Sequence, residues 1–320
     1  MRAVVVDAPG GPEALQVREL PTPEARPGWT LVHVHAFGLN RAELMTRRGE
    51  SGGAVSFPRV LGIECVGTVE ESVDEGAPAP GTTVAAVMGG MGRAYNGGYA
   101  DHALLPTERL MPVETHLDWA TLGALPETFL TARGSLDVMG LQPDDTLLVT
   151  AATSSVGLAA LGLGVAAGLR VIATTRNPDK AALLRDRGAA EVLVGVESIA
   201  GMGVDGVLDL IGGPALLDAL QAVKTGGIVC ATGLLGGQWV LEQFEPMAAI
   251  PTGVKLTTFG SGVIEGFEWT DELQEVVDLV EEGRVPANLD RTFALDQIAE
   301  AHAYMEANRA TGKVVVVVDP

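Results

Sequence analysis

Cysteine is nearly absent from this chain of 320 residues: Cys65 and Cys230 are the two it has, and each sits in an apolar run. Neither a disulfide framework nor a four-cysteine zinc site can be built from them, so both are expected to be core thiols in a reducing cytoplasm. Basic residues are also scarce, with 21 Lys and Arg against 41 Asp and Glu and a net charge of -20. A field of that sign repels phosphate backbones and anionic lipid surfaces, which argues against nucleic acid as a partner. The acidic residues themselves read as a solvated surface and say little about a substrate. Long apolar runs are missing too. The stretch from Val156 to Leu169 is rich in Gly and Ala and falls short of the roughly 20 residues that span a bilayer, so it reads as a buried helix. An acid as early as Asp7 interrupts the first apolar residues, and neither secretion nor a membrane anchor is expected.

What is present describes an ordered globular protein: hydrophobic residues reach 47%, and 41 Gly and 18 Pro supply tight turns. The length favours two domains over one. Up to about Val113 the pattern is short β-rich runs broken by Gly and Pro, at Ala3 to Val6, Leu31 to Ala36, Gly67 to Glu70, Thr83 to Met88 and Tyr99 to Leu105. From about Leu125 to Gly262 apolar strands alternate with helical stretches. Strands are expected at Thr146 to Thr150, Arg170 to Thr174, Glu191 to Val194, Gly206 to Leu210, Gly227 to Ala231 and Lys255 to Phe259. Six strands in this rhythm imply a parallel, doubly wound α/β sheet. Two amphipathic helices, about Thr270 to Gly283 and Leu295 to Asn308, and a β run Val314 to Val318 are assigned back to the first domain. The expected division is therefore 1–124 with 263–320, and 125–262 inserted between them.

The first strand of the inserted segment runs into Ala151-Ala152-Thr153-Ser154-Ser155-Val156-Gly157 and then a helix. Small residues sit where a pyrophosphate would meet helix N–H groups and the helix dipole. The dinucleotide fingerprint has three glycines and this turn keeps one, Gly157, so Thr153 and Ser154 could equally be plain helix caps. The next strand is more telling. It ends Thr174-Thr175-Arg176-Asn177-Pro178-Asp179-Lys180, where an NAD site places an acid for the ribose hydroxyl. Arg176, with Lys180 and the Thr175 hydroxyl, suits a 2′-phosphate, and NADPH is the expected cofactor. The turns Asp209 to Gly213 and Ala231 to Gly237 leave other strand ends and are expected to line the nicotinamide half. The histidines His33, His35, His102, His116 and His302 make no metal set.

Several segments in order then carry a resemblance: Gly38-Leu39-Asn40-Arg41-Ala42-Glu43, Gly62-Ile63-Glu64-Cys65-Val66-Gly67, Asn96-Gly97-Gly98-Tyr99-Ala100-Asp101, Ala124 to Ala132, and Gly312-Lys313-Val314-Val315. From end to end the chain resembles the medium-chain dehydrogenase/reductase superfamily, and within it the zinc-independent quinone oxidoreductase branch. The resemblance implies a Rossmann domain inserted into a GroES-like, mainly β domain, usually in a homodimer or homotetramer with the Lys255 to Phe259 strand pairing across the dimer. It implies Thr131 at the nicotinamide carboxamide, Ser154, Ser155 and Val156 with Thr153 at the pyrophosphate, and Thr175, Arg176 and Lys180 at the adenosine phosphate. Gly233 and Leu235 would lie at the nicotinamide ribose, and Lys313 near the cofactor. Asn40 is a candidate donor to an acceptor carbonyl or a satisfier of backbone groups, and Tyr95 a candidate for stacking or proton donation; Tyr99 reads as packing.

Zinc-dependent relatives place a cysteine where this chain has Asn40, a histidine where it has Ile63 and a third ligand where it has Glu127, so no metal is expected. Without a Lewis acid, alcohol oxidation loses its main stabilisation, whereas a quinone or other conjugated carbonyl accepts hydride with positioning as the protein's chief task. Reduction of an enone carbon–carbon double bond fits the same residues, and an NADPH-binding redox sensor without turnover is a reading of another class. Where many relatives have a tyrosine after the basic pair, Arg47-Arg48-Gly49 is followed here by Glu50-Ser51-Gly52-Gly53, which leaves the acceptor open.

Overall fold

Valine-rich runs form the framework of the first of two compact units in the computed structural model, which describes residues 1–238, 240–262 and 269–318. This unit comprises Met1–Leu130, Ser261–Gly283 and Ala287–Pro320. The β-branched strand Lys313–Val317 is almost wholly buried, as a strand covered on both faces should be. It lies in a seven-stranded sheet between Leu289–Ala294, which it pairs in parallel, and Trp29–Gly38, which it pairs antiparallel. The sheet continues through Glu64–Glu71, Thr83–Val87 and Met111–Pro112, with His102–Pro106 paired to the first half of Trp29–Gly38. A smaller three-stranded sheet joins Gln16–Glu19, Arg2–Val6 and Arg59–Val60. Phe37, Leu39, Leu61, Met91, Tyr99 and Leu105 are among the core side chains of this unit.

The second unit comprises Thr131–Gly260 and Arg284–Pro286. Its six strands lie in the order Glu191–Val194, Arg170–Thr175, Thr146–Val149, Val204–Asp209, Val223–Ala231, Lys255–Thr258, every pair parallel. This is the doubly wound order in which the chain starts at the centre, winds one way, returns and winds the other. The helix Ser155–Ala166 is buried from Gly157 to Gly164, which accounts for its uniformly apolar sequence.

Sequence reasoning places the division at 124/125 and 262/263, whereas the units divide at Leu130/Thr131 and Gly260/Ser261. The first of these falls inside one continuous helix, Pro126–Met139, so no turn residue marks it; the second is close to residues 263–268, outside the described ones. Two strands carry no clear signal. Gln16–Glu19 is short, charged and largely exposed, and Leu289–Ala294 interrupts its apolar residues with Asp290 and Arg291.

Candidate cofactor site and buried charge cluster

In the second unit the strand order reverses between Thr146–Val149 and Val204–Asp209, and open α/β sheets take ligands beyond the carboxyl ends of strands at such a reversal. After Thr146–Val149 the chain turns through Ala151, a non-glycine residue at φ 48°. Thr174 holds that turn: its hydroxyl accepts the Ala151 N–H at 3.1 Å and its carbonyl accepts the Ala152 N–H at 2.9 Å. Ser154 is the N-cap of the next helix, its hydroxyl accepting the Gly157 N–H at 3.1 Å. The Ser154 N–H donates back to the Ala151 carbonyl. The N–H groups of Ser155 and Val156 have no acceptor among the described residues and stand at the positive end of the helix dipole. A Cβ at Gly157 would lie 2.7 Å from Ala152 Cα, so only glycine lets the helix seat this close. Two open amides over a turn of small residues fit a dinucleotide pyrophosphate; Ser154 serves as the cap, with Thr153 half-buried beside it.

At the end of Arg170–Thr175, the Thr175 hydroxyl accepts the Asn177 N–H at 3.2 Å. Arg176 is exposed and has neither hydrogen bond nor ion pair among the described residues, while Lys180 closes the short helix Pro178–Lys180. On the other side of the reversal, Asp209 organises the turn after Val204–Asp209. Its carboxylate accepts the Ile211 N–H at 3.0 Å, the Gly212 N–H at 3.1 Å and the Thr150 hydroxyl at 3.1 Å, and burial pushes its pKa up. Gly233 packs on the same turn, where a Cβ would meet the Leu210 carbonyl at 2.3 Å, and the Leu235 N–H donates to that carbonyl at 3.0 Å. The carbonyl of Thr131, itself 8% exposed, accepts the Ser135 hydroxyl at 2.7 Å, and Ser135 pairs with the Thr232 hydroxyl at 2.9 Å. In this unit Thr153 to Val156, Thr175 to Lys180, and Gly233 with Leu235 lie at or just after the carboxyl ends of strands of a single sheet, while Thr131 lies on the helix Pro126–Met139.

Asn40, Tyr95 and Lys313 belong to the first unit. Asn40 precedes the helix Arg41–Arg47, and its side chain is fully used: Oδ1 accepts Lys313 Nζ at 2.6 Å, and Nδ2 donates to Glu64 Oε1 at 2.8 Å and to Glu43 Oε1 at 3.4 Å. A free amide donor for an acceptor carbonyl is therefore not what the geometry provides; this half-buried amide satisfies its neighbours. Lys313 is buried. Its side chain is 0% exposed and ion-paired with Glu64, so it serves the interior and does not present its charge at a surface.

Three acids join this cluster to which sequence reasoning assigns no such role: Glu43 and Glu64 stand only in segments of the resemblance, and Glu127 also at the position of a third zinc ligand. Glu43 accepts the N–H groups of Asn40 and Ile63, both at 3.0 Å. Glu64 accepts the Glu127 N–H at 2.9 Å, and Glu127 in turn accepts the Ser261 hydroxyl at 2.5 Å. Burial, opposed by hydrogen bonds and the Lys313 charge, pushes the Glu43 carboxyl up to about 7. Burial together with the Glu64 charge pushes Glu127 up to about 8. The signals available were the capping-box spacing of Asn40 and Glu43 and a lone acid, Glu64, in an apolar strand. Tyr95 is half-buried, its ring edge-on to Trp29 with centroids 5.0 Å apart, and burial pushes its phenol up to about 12. Tyr99 is wholly buried against Phe37.

Comparison with known proteins places these features. Residues 26–115 match a family model described as the alcohol dehydrogenase GroES-like domain, and residues 181–316 one described as zinc-binding dehydrogenase. A solved structure described as an NAD-dependent alcohol dehydrogenase is 30% identical, with a TM-score of 0.86 and complete coverage of both chains. The chain belongs to the medium-chain dehydrogenase/reductase superfamily. Within the superfamily it is similar to the quinone oxidoreductase of Homo sapiens, at 26% identity over 99% of this chain and 98% of that one. It is also similar to mycobacterial Rv1454c, solved in complex with NADPH, at 25% identity, a TM-score of 0.86 and 99% coverage of each chain.

Zinc, which one of those descriptions names, does not fit the residues present. Zinc sites need Cys, His or carboxylate ligands converging on one point, and among the described residues no group of three or more His, Cys, Asp or Glu is placed to hold a metal. Ile63 offers no donor, both cysteines are buried, and burial pushes the Cys65 thiol up to about 12. At the Asn40 amide stands the Lys313 ammonium, a competitor for any cation.

Proposed function

We propose that this member of the superfamily is a zinc-independent, NADPH-dependent oxidoreductase that transfers hydride to a quinone or similar conjugated carbonyl compound, acting as a cytoplasmic homodimer or homotetramer. Arg176 carries the reading: its guanidinium stands exposed and unpaired among the described residues at the strand end where NAD-selective sites hold an acid. A guanidinium fork suits a phosphate better than any other side chain. The NADPH bound to mycobacterial Rv1454c and the quinone named for the human relative support it.

When bound, the dihydronicotinamide supplies a hydride, two electrons and one proton, to the conjugated acceptor and is left oxidised. The residues of this chain then have positional tasks. The Ser155 and Val156 N–H groups hold the pyrophosphate, Thr175, Arg176 and Lys180 the 2′-phosphate, and the loop at Gly233 and Leu235, with Thr131, the nicotinamide half. Carbonyl conjugation provides the electrophilicity that a metal would otherwise supply, and the reduced oxyanion takes its proton from water.

The test follows the absorbance of reduced nicotinamide with a simple quinone, an enone, and an alcohol plus NADP, each with and without a chelator. Chelator-insensitive NADPH oxidation by the quinone, slower with NADH, is expected; product analysis separates quinone from enone reduction. Chelator-sensitive alcohol oxidation would overturn the assignment, and tight NADPH binding with no turnover on any acceptor would favour a sensor.

A further inference from the structure

The helix Pro126–Met139 starts in the interior, so the N–H groups of its first turn must find acceptors inside the protein. Pro126 brings no N–H, and the Phe129 N–H donates to the Leu125 carbonyl at 2.8 Å. The Glu127 N–H finds its acceptor 63 residues away in sequence, in Glu64 Oε2 at 2.9 Å. A carboxylate at this place completes the helix start and faces the positive end of its dipole. The other oxygen of the same carboxylate is held as firmly: Glu64 Oε1 accepts Lys313 Nζ at 2.6 Å and Asn40 Nδ2 at 2.8 Å. The Glu64 side chain is 1% exposed and the Lys313 side chain 0%, and a buried charge is tolerated only when it is paired and hydrogen-bonded. Gly38 makes the room, since a Cβ there would stand 2.2 Å from Lys313 Cε and 2.5 Å from Glu64 Oε1. Glu64 thus fastens the helix start to two partners, the Asn40 amide and the ammonium from the strand Lys313–Val317.

Thr131 follows Glu127 by four residues on the same helix, one turn on and on the same face. We propose that Glu64 is a positioning residue for the cofactor: by holding the first turn of Pro126–Met139 it sets where the Thr131 side chain meets the nicotinamide carboxamide, and Lys313 serves by holding Glu64. The inference rests on the nucleotide site proposed above and adds to it a carboxylate that acts through the helix, not by touching the cofactor. Its consequence is a division between the two halves of the dinucleotide. Losing the cap should disturb the nicotinamide half and leave intact the adenosine half at Thr175, Arg176 and Lys180.

The test compares two ligands by calorimetry on the full chain: NADPH, and adenosine 2′,5′-bisphosphate, which carries the 2′-phosphate but no nicotinamide. Glu64→Gln breaks one side or the other of the junction. With its amide oxygen toward Glu127, the new NH2 group faces the Lys313 ammonium; turned round, it faces the Glu127 N–H. The NADPH Kd should rise about tenfold, as for one lost hydrogen bond to a charged group, while the Kd of adenosine 2′,5′-bisphosphate stays level. Tm should also fall, because Lys313 is left as an uncompensated buried charge. In Glu64→Gln/Lys313→Met the amide oxygen can take the Glu127 N–H while the NH2 group donates to the Asn40 oxygen that the ammonium releases, so Tm and the NADPH Kd should both return toward wild type. A merely structural role would lower Tm without separating the two ligands. The inference is overturned if Glu64→Gln weakens both ligands equally or neither, or if the double variant folds and still binds NADPH weakly. If Glu64→Gln does not fold, the double variant decides alone on the same two constants. Wild-type protein that binds neither ligand would instead overturn the nucleotide site, and with it this inference.

Discussion

The Ser154 hydroxyl accepts the Gly157 N–H at 3.1 Å, and so leaves the Ser155 and Val156 amides as the open donors of this helix start. Gly157 decides how close that start lies to the preceding strand. In Gly157→Ala the new Cβ would sit 2.7 Å from Ala152 Cα and 2.8 Å from the Ala151 carbonyl oxygen, both backbone atoms that cannot rotate away. Alanine gains about 1 kcal/mol in helix propensity, but the clash moves the first turn. The expected result is a lower Tm together with an NADPH Kd raised at least roughly tenfold, about 1.4 kcal/mol, measured by nucleotide fluorescence titration. Unchanged affinity would remove the pyrophosphate from this turn.

Arg176→Ala separates the two nicotinamide dinucleotides. A charge-assisted contact to a phosphate is worth about 1.5–3 kcal/mol, so the KM for NADPH should rise on the order of 10- to 100-fold while the KM for NADH stays level. Because Arg176 is exposed and makes no hydrogen bond or ion pair among the described residues, Tm should not move. Equal loss with both cofactors would mean that the guanidinium does not read the 2′-phosphate.

The carboxyls of Glu43 and Glu127 give stability a pH dependence of predictable sign. Both start from 4.5 and are raised in the folded chain, to about 7 and about 8. Over that window the folded state binds more protons than the unfolded one, so the stabilisation is complete below 4.5 and is lost as the pH rises through 7 and 8. The groups facing them are Glu64, Lys313, Asn40, Ser261 and the Ile63 amide. Thermal melts of wild type and Glu127→Gln between acid and alkaline buffers should show the variant losing less Tm toward high pH. Parallel curves would place the titration elsewhere.

The six strands of the parallel sheet in the second unit were legible because period and turn residues are local properties. Glu191 to Val194 coincides with its strand, and the strand at Lys255 ends one residue before Phe259. The buried cluster was not legible. Asn40, Glu64, Glu127 and Lys313 come from four distant segments, and nothing local to Lys313 tells whether its ammonium points to solvent, to a cofactor or to Glu64. Asn40 reads from the sequence either as a donor to a carbonyl or as a satisfier of backbone groups; only the simultaneous positions of Glu43 and Glu64 show both N–H groups engaged.

Tyr95 and Tyr99, four positions apart, should divide kinetics from stability. The Tyr99 hydroxyl meets His302 Nε2 at 3.0 Å with both residues 0% exposed. Burial first, and the Arg47 charge second, push His302 down to about 3, so the imidazole is neutral and the phenol, itself pushed far up by burial, is the donor. Tyr99→Phe keeps the ring stacked on Phe37, with centroids 4.5 Å apart, but strands a buried acceptor at a cost of about 1–3 kcal/mol. It should lower Tm by several degrees and leave kcat/KM alone. The hydroxyl of the half-buried Tyr95 makes no hydrogen bond to a described residue, so Tyr95→Phe has little stability to lose; a change in kcat/KM for the acceptor, with Tm held, is expected if the phenol meets the substrate. Melting curves and steady-state kinetics on the two variants decide it, and a Tyr95→Phe enzyme with wild-type kinetics would reduce that residue to packing against Trp29.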